Sequence, residues 1–148
     1  MIHIDKHTRN KLYWIDYSDP QKSFVNNKLR ESNLIVLNLG YEFASYIKDK
    51  DEAQVRIMAT DYLSEIMEYS ANVDTSTKLP FVIMRNFGIM LENFLDIDVE
   101  KFLKDFSKNI GLVMLWEGTV KDNQQFFWPE SEDYSLKFND TNVNKIQL

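Results

Sequence analysis

Asp16-Tyr17-Ser18-Asp19-Pro20-Gln21-Lys22-Ser23 follows the apolar run Leu12-Tyr13-Trp14-Ile15 and leads into a segment of helical pattern. The octapeptide has the spacing of a phosphate-binding loop, G-x-x-x-x-G-K-[ST], with both glycines missing. In the intact motif the glycines let the backbone curl so that amide hydrogens point at phosphates, while Lys and Ser/Thr serve the terminal phosphates and Mg²⁺. Here only Lys22 and Ser23 stand where that chemistry needs them. Asp16 and Gln21 occupy positions that glycine reaches without steric cost, and Pro20 has no amide hydrogen to offer an anion. Asp16 and Asp19 add two negative charges, and a carboxylate about 4 Å from a phosphate oxygen repels it by roughly 4 kcal/mol at an effective dielectric of about 20. Tight triphosphate binding is not expected. The same residues also fit a plain helix start, with Asp19 as N-cap and Pro20 at the first helical position.

Outward from this loop the pattern alternates between strands and helices. Leu12 to Ile15 reads as a buried strand and Gln21 to Glu31 as a helix. Asn33 to Leu39 reads as a strand covered on both faces and ended by Gly40. From Ala53 to Tyr69, Val55, Met58, Ala59, Tyr62, Leu63, Ile66 and Met67 recur at three- and four-residue steps, which defines an amphipathic helix. Asn72 to Lys78 is a polar connection, Leu79 to Met84 a second core strand, and Asp98 caps a helix running to Asn109. Gly111 to Trp116 is a third apolar strand, and Gln125 to Trp128 is a candidate edge strand. The order implies an α/β fold, a three-layer sandwich around a mainly parallel sheet, in a single domain over residues 1–148.

The chain has 148 residues, of which 44% are hydrophobic and 14% aromatic, enough for a continuous core. No apolar run approaches membrane-spanning length and the amino terminus is polar, so neither a span nor a signal peptide is expected. Zero Cys agrees with a reducing compartment, and the expected location is the cytoplasm. Residues 1–50 carry eight Lys/Arg against six Asp/Glu and the remainder nine against seventeen, which argues against strong direct nucleic-acid binding.

Other constellations are weak. Arg85 follows the second core strand where a phosphate-loop enzyme carries a metal-side Asp, and arginine has no acceptor for that role. It remains a candidate contact for a phosphate or for a partner's carboxylate. His3 and His7 lack a third metal ligand close by, and Asp96, Asp98 and Glu100 lack the glycine of a calcium loop, with Lys101 in its place. Lys101, Lys104 and Lys108 form a basic stripe best read as a solvated face. No serine lies in G-x-S-x-G and the only histidines are terminal, so the sequence carries no positive enzymatic signal. Phe126, Phe127, Trp128 and Tyr134 are candidate exposed aromatics for partner binding.

From Asn33 onward the order of segments resembles BrxF, the small phosphate-loop protein family of type 3 bacteriophage-exclusion (BREX) defence systems. The matching pieces are Val36-Leu37-Asn38-Leu39 before a helix, and Val82-Ile83-Met84-Arg85-Asn86, where the family has apolar residues and then Asp-Asn. They continue with Leu95 and Asp98 leading into Leu103 to Asn109, then Trp116-Glu117-Gly118, and Pro129 followed by Asp133-Tyr134. The resemblance implies a degenerate P-loop NTPase-like fold in which Asp16 and Gln21 replace the loop glycines and Arg85 the metal-side Asp. It implies a non-hydrolysing accessory or adaptor protein of a prokaryotic antiphage system, with other defence components as partners. No cofactor is expected, weak binding of ATP and Mg²⁺ through Lys22, Ser23 and Arg85 being the most the loop offers. Two alternatives stay open: a weak NTPase or nucleotide-binding switch, and a small partner-binding protein unrelated to nucleotides.

Overall fold

The computed structural model describes residues 2–148, apart from the side chain of Glu132. Five parallel strands build the main sheet in the order β2 (Val36–Asn38), β4 (Pro80–Arg85), β5 (Gly111–Trp116), β1 (Leu12–Asp16), β9 (Asn144–Lys145). A two-residue strand, β3 (Asn72–Val73), runs antiparallel to β4 on the same side as β2. Between them lie the helices α1 (Asp19–Glu31), α2 (Leu39–Ile47), α3 (Glu52–Tyr69) and α4 (Val99–Phe106). A separate antiparallel sheet is made of β6 (Val120–Lys121), β7 (Gln125–Trp128) and β8 (Ser131–Lys137). No helix among the described residues is long and apolar enough to cross a membrane.

Strand alternation sorts the core into two layers. Tyr13, Ile15, Phe81, Ile83, Val113 and Leu115 face α1, through Val25 and Leu29, together with Ile2 and Ile4 of the amino-terminal arm. Their neighbours Leu12, Trp14, Val82, Met84, Leu112, Met114 and Trp116 face the other helices and the small sheet. β4 and β5 are therefore apolar without interruption, because both of their faces are covered. Asp74 ties down the arm: its buried carboxylate accepts from the amides of Ile4 (2.8 Å) and Ser76 (2.9 Å) and from the Ser76 hydroxyl (2.8 Å).

Several boundaries differ from the sequence reading, each for a local reason. The strand expected over Asn33 to Leu39 shrinks to three residues at the sheet edge, with Ile35 52% exposed. Asn38 turns the chain into α2 by accepting from the Tyr41 amide, so Gly40 lies inside a helix rather than ending a strand. Gly40 is needed there because a Cβ would come within 2.5 Å of the Asn86 side-chain amide. The polar connection from Asn72 contains β3, and the Asn72 side chain pairs with both backbone groups of Ile35, splicing β3 to the segment before β2. The helix capped by Asp98 ends at Phe106, not Asn109. Gln125 to Trp128 is the middle strand of the small sheet, not an edge of the large one.

Candidate functional site

In open α/β sheets, ligands bind outside the carboxyl ends of the strands where the strand order reverses. Here that point lies between β1 and β5. The α1 crossover carries the chain from β1 past β5 and β4 to β2, whereas the segment after β5 returns on the other side of β1 as β9. Asp16 to Ser23 sits at this point, at the junction of β1 and α1.

The junction is only Tyr17 and Ser18, and nearly all of its amides are consumed within the chain. The Tyr17 amide donates to the Trp116 carbonyl at 2.8 Å and the Ser18 amide to Asp16 Oδ1 at 3.0 Å. Pro20 has none, and the amides of Gln21 and Lys22 both donate to the Ser18 carbonyl, at 2.8 and 3.0 Å. From Tyr17 to Lys22, among the described residues, only the Asp19 amide is left over. No residue from Asp16 to Ser23 has a positive φ, so the alternating backbone that forms an anion nest is absent. The N-cap is Ser18 rather than Asp19, which moves to the first helical position with Pro20 behind it. Asp16 adds a negative charge beside the loop, its carboxylate accepting from the Ser18 amide. Burial works to raise its pKa, but hydrogen bonds from the Ser18 amide and hydroxyl and the charge of Lys145 outweigh it, so the carboxyl is held below its ordinary value.

Lys22 is occupied. Its ammonium lies 3.1 Å from Glu117 Oε2 and 3.3 Å from Asp19 Oδ1, with the side chain 34% exposed. The hydrogen bond to Glu117, followed by that to Asp19, raises the lysine pKa against the opposing pull of desolvation. Ser23 is exposed on the first turns of α1. Arg85 ends β4, half-buried, on the α1 face by alternation with Phe81 and Ile83, and makes no salt bridge among the described residues. Thus Lys22 is brought to Glu117, while Ser23 lies exposed on α1 and Arg85 ends β4. Asn86, which follows Arg85, gives its side-chain amide to Asn38 Oδ1 at 3.0 Å.

Beside Glu117 opens a cleft of about 230 Å³, walled by Asn86, Phe87, Trp116, Glu117, Trp128 and Glu130 among others. Of the aromatics expected to be exposed, Phe126 is a correction: it is fully buried, edge-to-face against Trp14, Trp116 and Phe138 at 5.9, 5.5 and 5.8 Å. Strand alternation explains this, since Phe126 pairs with Leu136 on the inner face of the small sheet. Phe127 and Trp128 are half-buried and Tyr134 is 62% exposed. Trp128 meets Trp116 edge-to-face at 4.8 Å.

Sequence reasoning did not single out Glu117 or the cleft. The available signal was position: Glu117 follows the strand that neighbours β1, at the carboxyl edge where α/β sheets gather their sites. Among the described residues, no three His, Asp or Glu side chains group to hold a metal ion. His3 instead lies 3.3 Å from Asp74, and Lys101 and Lys108 both pair with Asp105. Comparison with protein-family models, curated proteins and solved structures returns no match to this chain.

Proposed function

We propose that this protein is a non-hydrolysing accessory subunit of a prokaryotic antiphage defence system, acting in the cytoplasm on a degenerate phosphate-loop scaffold. The observation that carries the non-hydrolysing part is the state of the loop. Its amides are bonded internally, and its lysine is held by two carboxylates. A triphosphate arriving there would have to break the Lys22–Glu117 pair, approach Asp16 and Asp19, and find one amide donor. Each such carboxylate opposes it by several kcal/mol at short range. The sheet supports the scaffold part, because the loop lies after a strand flanked on both sides, at the reversal of strand order. The defence setting rests on the resemblance of segment order to BrxF.

Purified protein assayed with Mg²⁺ and ATP is expected to release no phosphate above background. A thermal shift scan with ATP, GTP and ADP at millimolar concentration is expected to stay flat. A ligand at a hundredfold its Kd would add about 2.7 kcal/mol, which is about 5–11 °C for a chain of this size. Turnover that disappears in Lys22→Ala overturns the non-hydrolysing reading. Co-expression with the products of neighbouring genes tests the setting: co-purification with a large ATPase, a methyltransferase or an alkaline-phosphatase-like protein is expected. A neighbourhood holding none of these removes the defence assignment.

A further inference from the structure

The cleft beside Glu117 is too small for a nucleotide and has the wrong sign for a phosphate. At about 230 Å³ it lies below the roughly 300–1,000 Å³ of small-molecule sites, a size that suits one side chain. Glu117 and Glu130 stand in its wall, and no Lys or Arg does. Lys22 offsets Glu117 from outside the wall, and Glu130 leaves the rim net negative. Three of the other seven wall residues are aromatic: Phe87 and Trp116, both buried, and the half-buried Trp128. Carboxylates set among aromatic rings favour a flat, delocalised, weakly hydrated cation over a compact ammonium.

We propose that this cleft receives an arginine side chain from a partner protein. Lys22 bonds Glu117 Oε2, and among the described residues Oε1 has no donor and is left to accept from a guanidinium. A second group fits the backbone that would carry such an arginine. Trp14 donates its indole N–H to Asn123 Oδ1 and Trp116 donates its own to the Phe127 carbonyl, whereas among the described residues Trp128 has no acceptor. An incoming peptide carbonyl supplies one. Asn86 in the wall has φ 65°, donates to Asn38, and accepts from the Gly40 amide at 3.1 Å. The inference rests on the adaptor reading only in taking the arginine from another protein.

The test uses the full chain labelled with ¹⁵N, following its three indole signals, with Trp128→Phe identifying one of them. Titration with doubly capped arginine is expected to move the Trp128 signal to saturation in the millimolar range, leaving the Trp14 signal in place. Capped citrulline, the neutral isostere, is expected to bind at least about tenfold more weakly, as befits a charge-assisted contact. Glu130→Gln, an exposed change in a turn, is expected to weaken the arginine response about two- to fivefold. Equal responses to arginine and citrulline, or no movement at Trp128, overturn the proposal. Either result leaves the nucleotide assays unaffected, so failure of the cleft assignment is separable from failure of the non-hydrolysing reading.

Discussion

Replacing Phe126 by alanine tests whether the small sheet belongs to the same core as the large one. The ring is fully buried and touches Trp14 of β1, Trp116 of β5 and Phe138 beyond β8, all within 6 Å and within about 11° of perpendicular. Truncating a buried Phe to Ala costs about 3–5 kcal/mol from lost transfer energy and the cavity left behind. Edge-to-face pairs add about 0.5–1.5 kcal/mol each beyond area, which places this site near the upper end, at about 4–5 kcal/mol. That is a large share of the roughly 5–15 kcal/mol that holds a domain folded, and it corresponds to a fall in Tm of about 10–20 °C. Urea unfolding followed by far-ultraviolet circular dichroism and by tryptophan fluorescence measures it, with Tyr134→Ala as the exposed control, expected within about 0.5 kcal/mol of the parent. A loss below about 2 kcal/mol for Phe126→Ala at unchanged m-value refutes the reasoning. So does a parent protein whose two probes report separate transitions, because the sheets would then unfold independently.

The pH dependence of stability should carry the mark of Asp74. Burial alone would raise its pKa, but hydrogen bonds from the Ile4 amide, the Ser76 amide and hydroxyl and the Thr77 hydroxyl hold it far below 3.8. A depressed folded-state pKa means that the contribution is complete above the unfolded value and is lost as pH falls below about 4. Asp74→Asn is expected to cost about 2–3 kcal/mol at pH 7 and to flatten the acid limb of the stability curve; an unchanged acid limb contradicts this. Lys22→Met should cost less than about 1 kcal/mol, since its ion pairs are half-exposed, and the difference should shrink in high salt. Gly118→Ala, whose new Cβ would clash with the Phe127 carbonyl oxygen, should cost about 1–3 kcal/mol and alter the emission of Trp116, which bonds that same oxygen. Parent-like stability and spectrum in Gly118→Ala would mean that this contact relaxes freely.

Local signals in the sequence determined much of the scaffold. The short apolar runs at Phe81 to Met84 and Gly111 to Trp116 read as strands covered on both faces, and the spacing from Val55 to Met67 as a helix with one buried side. The missing loop glycines and the absent acid after Met84 were equally legible, because a phosphate cradle depends on residue types at fixed spacing. What the sequence left open was settled by partners far along the chain. Phe126 and Tyr134 look alike as aromatics, and only pairing across the small sheet buries the first and exposes the second. Lys22 reads as a phosphate contact until β5 brings Glu117, 95 residues later, to within 3.1 Å of its ammonium. Periodicity and spacing describe a chain's own neighbourhood, whereas the charge and shape of a site depend on which strand ends lie side by side, and that order is decided by burying both faces of the sheet at once.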